Sequence, residues 1–264
     1  VQKNRMSKKA IRNILPRELV NWDVFYLPTC DSTQDFAAQL FKKHKRGGIL
    51  VATNYQTRGR GRAARSWLSP RGKALLFSMI LLPGHAPSHL HLLTVTAALA
   101  VCDTLSKHLN LKPEVKWPND VLLGGKKVCG VLTELLKTKS QKSAVILGIG
   151  LNVNQSASAL SPDFLHKATS LFLETGKTVP RIPLLGALMK SFEDYYFIFQ
   201  RGAFHEIIRR WKSYSSMLGT RVTLLTGNKE VQGALIDLDD SGALVLRLDT
   251  GKTEAFYGSD CRFV

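Results

Sequence analysis

The sequence predicts an α+β fold: a mixed, largely antiparallel sheet flanked by helices, followed by a small β-barrel. Three patterns lead there. Short continuous apolar runs at residues 49–53, 74–82 and 144–153 read as buried strands. Apolar residues recur at spacings of three and four over 89–109, 184–199 and 204–218, which read as helices. From Thr220 the period changes to two, and short strands alternate with turn residues.

Residues 1–22 carry six basic residues and one acid, with Ile11, Ile14, Leu15 and Leu19 spaced for a short amphipathic helix. They read either as a docking arm or as a partly disordered leader. Residues 24–28 form a first strand, and Ser32 followed by Asp35 marks a helix N-cap, with the helix running to about Lys43. Leu92, Val95, Leu99, Cys102, Leu105 and Leu109 share one face of a long core helix. Pro118 pushes Trp117 towards extended backbone, so 115–123 reads as an extended run. Gly124-Gly125 is a hairpin turn, from which 126–136 returns antiparallel. Residues 161–176 read as short helices and loops. Phe192, Tyr195, Tyr196 and Phe199 fill the interface of the two helices that follow. The tail has four strands, 222–225, 231–236, 243–248 and 253–257, broken at Thr226-Gly227-Asn228, Asp240-Ser241-Gly242 and Thr250-Gly251-Lys252.

A 44% hydrophobic and 22% charged composition places the chain among ordinary globular proteins. No run approaches the ~20 apolar residues that span a bilayer, and residues 1–20 lack a signal core, so a cytoplasmic protein without a membrane partner is expected. Cys30, Cys102, Cys129 and Cys261 are far apart, which is neither a zinc nor a disulfide pattern and fits a reducing compartment. Net charge is 37 − 20 = +17. Between Phe36 and Cys102 there is no Asp or Glu, so this region attracts anionic ligands, acidic partners or nucleic acid.

The charge concentrates in Arg58-Gly59-Arg60-Gly61-Arg62-Ala63-Ala64-Arg65-Ser66-Trp67, between two predicted strands. Glycine permits close backbone approach, and the arginine fork fits carboxylate and phosphate oxygens. A solvated basic loop is the plainer reading of such a run. It loses ground because Lys116-Trp117-Pro118-Asn119-Asp120, Lys126-Lys127-Val128-Cys129-Gly130 and Gly148-Ile149-Gly150-Leu151-Asn152 also end or interrupt apolar runs, where sheets present binding groups. Gly148-Ile149-Gly150 lacks the strand–turn–helix context of a dinucleotide fingerprint. His85, His89 and His91 have no acid ligands nearby and read as surface residues, so no metal site is expected. Trp67 is expected to anchor the loop in the core.

Together these stretches closely resemble the biotin–protein ligases, from about Val24 to the C-terminus. The resemblance implies the biotin/lipoate ligase catalytic fold over 23–218 and an SH3-like domain over 219–264, after the leader 1–22. That leader is too short for the winged helix-turn-helix of the repressor forms, so specific DNA binding is not expected. It implies ATP-dependent activation of biotin to biotinyl-5′-AMP, with Mg²⁺ carried by ATP. Transfer then goes to a lysine of a biotin carboxyl carrier protein, that of acetyl-CoA carboxylase; whether the enzyme is a homodimer is left open. Lys127, Arg62 and Asp120 take the catalytic roles. Biotin falls to Ser32, Thr33, Gln34, Gln56, Arg60, Gly61, Arg62, Lys127, Gly130, Gly148 and Gly150. The nucleotide falls to Arg60, Arg62, Arg65, Lys116, Asn119, Asp120, Lys127 and Asn152. Two positions depart from the family pattern: Gln34 stands where Asn is usual, and Ala64 where Gly is usual. If position 64 needs positive φ, the alanine costs about 1 kcal/mol. The alternatives are a lipoate or octanoate ligase of related fold, and a basic nucleic-acid-binding pseudoenzyme.

Overall fold

In the computed structural model, residues 5–136, 143–159, 167–226, 229–257 and 260–263 are described. The apolar runs become the inner strands of a seven-stranded sheet. Its strands are β1 (Asp23–Leu27), β2 (Ile49–Thr53), β3 (Ala74–Leu81), β4 (Pro113–Lys116), β5 (Asp120–Leu123), β6 (Lys126–Leu136) and β7 (Ala144–Asn152), in the spatial order β1-β2-β3-β7-β6-β5-β4. Only β1 and β2 pair in parallel; every other neighbour is antiparallel, as the sequence predicts.

Helices cover both faces because β2 and β3 are apolar on both sides and fully buried. On one face lies α2 (Thr33–His44), following α1 (Lys8–Arg12) in the chain; its Ala37 and Phe41 pack on Ile49, Val51, Ile80 and Ile146. The Ser32 hydroxyl caps α2 by accepting the Gln34 N–H at 3.2 Å, and the helix stops at Lys45, in left-handed conformation. On the other face α3 (His91–Leu109) packs against the sheet, and after α4 (Leu171–Thr175) come α5 (Arg181–Gln200) and α6 (Phe204–Tyr214). Although the sequence shows no obvious spanning run, α3 is long and apolar enough to cross a bilayer. Its burial between sheet and helices accounts for that apolarity. Ile11 of α1 and Leu19 belong to the same core.

The tail forms a second sheet from β8 (Arg221–Thr226), β9 (Lys229–Leu238), β10 (Leu244–Leu248), β11 (Thr253–Phe256) and β12 (Asp260–Phe263), in the order β11-β10-β9-β8-β12. Its antiparallel pairing accords with the SH3-like expectation. β12 is a strand that alternation in the sequence did not show, because only four residues make it. The Trp117 indole donates to Gly242 O at 3.2 Å and Lys212 pairs with Asp237 at 2.7 Å, so this sheet is fastened to the seven-stranded unit.

One expectation is corrected. Residues 115–123 are not a single extended run: β4 and β5 pair antiparallel, and Trp117–Asn119 turns between them with a cis Trp117-Pro118 bond. The short elements expected over 161–176 fall partly on 161–166, outside the described residues; α4 belongs to the described part. Residues 227–228 of a predicted tail turn also lie outside.

Asp103 ties α3 to α6. The buried carboxylate accepts from Lys107 at 2.6 Å and from the Tyr214 hydroxyl at 2.7 Å. Burial opposes its ionisation, but these hydrogen bonds win and hold its pKa below the usual carboxylate value. A depressed folded pKa means the contribution is complete above the unfolded value of ~3.9 and is lost as pH falls through the folded one. Asp103→Asn should therefore lose about 1–2 kcal/mol at pH 7 in urea unfolding, and this deficit should shrink towards pH 3.

Candidate active site

The β2–β3 connection folds back on itself. Gly61 N–H donates to Arg65 O at 2.7 Å and Trp67 N–H to Gly59 O at 2.9 Å. A Cβ on Gly59 would meet Trp67 O at 2.4 Å, so the crossing needs glycine. Ala63 and Ala64 sit at φ 50° and 57°, in the left-handed region that β-carbons disfavour by about 1–2 kcal/mol per residue. The positive φ anticipated at position 64 is thus present, with a second beside it. The loop arginines are held from outside: Arg58 by Asp31, Arg60 by Asp35 and Glu134, and Arg62 donates to Asn119 Oδ1 at 3.3 Å. The Arg58 hydrogen bond lowers the pKa of Asp31 below the ordinary aspartate value.

Opposite the loop, the β5–β6 hairpin carries a bulge. Asp120 pairs with Gly130 and Val121 with Cys129, but Leu122 pairs with Lys127, so Val128 is an extra residue. Val128 and Cys129 are both fully buried, and burial pushes the Cys129 thiol far above its ordinary pKa, leaving it inert. The extra residue puts Lys127 on the same side as Gly130, where a regular strand would alternate them. Lys127 Nζ lies 2.6 Å from Asp120 Oδ1 and 5.5 Å from the Trp67 ring centre. Its main chain is clamped as well: Lys127 N–H donates to Lys167 O and Lys127 O accepts from Thr169 N–H, both at 2.9 Å. Asn119 is fixed by Val131, whose carbonyl accepts from its amide at 2.9 Å.

The third wall is the start of α2. Thr33 Oγ donates to Gln56 Oε1 at 3.0 Å and lies 2.8 Å from Ser78 Oγ. The Gln34 amide donates to Leu132 O and Ile146 O, both at 3.2 Å, and its carbonyl accepts from Ser78 at 2.9 Å. A Cβ on Gly148 would fall 2.6 Å from that carbonyl oxygen, so the extra methylene of Gln34 uses space the glycine leaves.

These walls enclose a cavity of about 600 Å³. Ser32, Thr33, Gln34, Gln56, Arg60, Gly61, Arg62 and Arg65 line it, with Lys116, Asn119, Asp120, Lys127, Gly130, Gly148 and Gly150. Asn152 lies outside the lining; buried, it donates to Thr169 O at 3.0 Å and accepts from Gln155 at 2.8 Å. Trp67 corrects the sequence reading. It is half-buried and lines the cavity, its ring lying over Gly130 and Gly150, and a Cβ on Gly150 would come within 2.6 Å of it. Two glycines face each other across β6 and β7, and the ring fills the trough they leave. Ser78, Lys167 and Ala168 also line the cavity and were not singled out from sequence. A lone serine inside an apolar strand was a signal for the first; nothing marked the other two.

Residues 26–152 match the biotin/lipoate A/B protein ligase family, and 217–264 match the biotin protein ligase C-terminal domain. The Bacillus subtilis bifunctional ligase/repressor BirA is 32% identical over 97% of this chain and 78% of its own length. The biotin–[acetyl-CoA-carboxylase] ligase of Paracoccus denitrificans is 33% identical over 80% of this chain and 91% of its own. The chain belongs to the biotin–protein ligase family. The Aquifex aeolicus biotin protein ligase, in a structure with biotin and ATP, superposes with a TM-score of 0.80 at 31% identity, covering 92% of this chain and 99% of that one. Membership of the biotin–protein ligase family extends through the tail sheet, since the second match spans it.

Gly150→Ala tests the trough. The new methyl should push the Trp67 ring towards water and red-shift the tryptophan emission; Trp117 and Trp211 are buried and Trp22 lies by Gly48, so these three should contribute little to the change. An unchanged spectrum would place the ring elsewhere.

Proposed function

We propose that the protein activates biotin with ATP as biotinyl-5′-AMP and transfers the biotinyl group to a lysine of a biotin carboxyl carrier protein. The observation that carries this reading is the Lys127–Asp120 pair, fixed by a bulge at the centre of a cation-lined cavity. A carboxylate does not acylate an amine unaided. In the first step a biotin carboxylate oxygen attacks the α-phosphorus of ATP, the bond to the bridging oxygen breaks, and pyrophosphate leaves. Both reactants are anions, so the protein's task is positioning and charge stabilisation. Lys127, held by Asp120, serves the carboxylate and the α-phosphate. Arg62, anchored on Asn119, faces the same space, and Arg65 takes the outgoing pyrophosphate. Because Asp120 is engaged with Lys127, Mg²⁺ is assigned to the ATP phosphates, not to a protein site. In the second step the acceptor amine attacks the acyl carbon, the bond from that carbon to the phosphate oxygen breaks, AMP leaves with the bonding pair, and the amine's proton passes to solvent. No protein nucleophile is required, and Cys129, the buried thiol beside Lys127, offers none.

The polar wall suits the bicyclic end of biotin. Ser32, Thr33, Gln34 and Gln56 supply hydroxyls and amides on an otherwise apolar strand floor, and Trp67 offers a flat apolar face. The acceptor is proposed to be the carrier of acetyl-CoA carboxylase, a reading supported by the named activity of the Paracoccus relative.

Exchange of radiolabelled pyrophosphate into ATP tests the first step. It should require biotin, fail with lipoate, and fall by roughly two to three orders of magnitude in Lys127→Ala. Exchange supported by lipoate, or unaffected by loss of Lys127, would overturn the reading.

A further inference from the structure

We propose that Asp35 and Glu134 are positioning residues that latch the arginine–glycine loop shut through Arg60, so that Arg60 serves closure of the cavity and not the binding of phosphate. The consequence for catalysis rests on the ligase reading above; the latch itself does not.

Arg60 Nη1 is hydrogen-bonded to Asp35 Oδ1 and Nη2 to Glu134 Oε1. The carboxylates come from different walls. Asp35 is in the first turn of α2, directly after the polar residues that line the cavity, while Glu134 lies on β6 on the same side as Gly130 and Leu132. One planar guanidinium therefore spans the mouth between helix and sheet, a geometry its fork of donors suits and an ammonium would not. Two other loop arginines differ: Arg58 and its partner Asp31 are outside the cavity lining, and Arg62 reaches the amide Asn119.

Commitment of the fork separates closure from anion binding. Both terminal nitrogens of Arg60 already hold a carboxylate, so a phosphate would have to displace Asp35 or Glu134 to reach them. Lys127 and Asp120, one charge of each sign, lie deeper. The loop also needs a restraint, since Ala63 and Ala64 hold left-handed conformations that alanine would leave if released. Single part-exposed ion pairs contribute little, but a shared network reaching two rigid elements restrains a loop more strongly. Under the ligase reading, closure retains the acyl-adenylate until the acceptor arrives.

The test begins on ligand-free protein with trypsin, which cuts after the loop arginines. Cleavage within residues 58–65 should accelerate roughly fivefold in Glu134→Gln and in Asp35→Asn. In unmodified protein it should accelerate similarly in about 0.5 M NaCl, and this salt effect should shrink in the double variant to the part carried by the Arg58–Asp31 pair. With biotin and ATP supplied, the variants should release adenylate faster and show a raised KM for biotin, with a smaller change in kcat for adenylate formation. Cleavage indifferent to both variants and salt would overturn the latch. So would a lowered KM for ATP with unchanged adenylate release, the result expected if Arg60, once freed, held phosphate. The proteolysis arm needs no catalysis, so wild-type protein that made no adenylate would count against the ligase reading alone.

Discussion

The site depends on one extra residue in β6. Without the bulge at Val128, strand alternation would send Lys127 and Gly130 to opposite sides of the sheet. With it, Val128 and Cys129 both anchor in the core, and Lys127 turns into the cavity over Gly130. Asp120, opposite Gly130 on β5, then meets the ammonium at 2.6 Å. The main chain of residues 167–169 clips onto Lys127 from the other side, so the cation is held by backbone and by ion pair. A charge whose position is set by strand register needs little rearrangement when an anion arrives.

The opposing wall works differently. The arginine–glycine loop has no sheet to set its register, and it keeps its shape through a glycine crossing, two alanines at positive φ and arginines paired with Asp31, Asp35, Glu134 and Asn119. Rigid strands present the central cation, and a restrained but strained loop covers it. Trp67 joins the two halves, because its ring rests on the strand glycines while its main chain pairs with Gly59. This division suits a reaction that must admit two anions, exclude water from a mixed anhydride, and then open to a protein acceptor.

The sheet and helices were legible because burial on one or both faces writes directly into apolar period. The long α3 and the strands β2, β3 and β7 are the clearest instances. The cavity lining was legible through motif, since charged and glycine-rich groups interrupted apolar runs at 58–67, 116–120 and 126–130. Other features carried no local mark. The Val128 bulge depends on which residues of β5 pair with β6, and Lys167 enters the site only because distant chain folds onto Lys127. The sequence reads Trp67 as a core anchor for the loop; only the pairing of β6 with β7 shows that Gly130 and Gly150 form a trough for it. Asn152 shows the converse: its motif pointed to the cavity, while its amide is committed to Thr169 and Gln155.

Lys127 is preset, by strand register and by Asp120, to receive the reacting carboxylate. The direct measurement is the position of Lys127 Nζ in a crystal structure of this protein with biotin bound. The ammonium should lie about 2.7–3.2 Å from a biotin carboxylate oxygen, still paired with Asp120, with the Val128 bulge unchanged. A carboxylate held by the loop arginines alone, with Lys127 turned away, would contradict it.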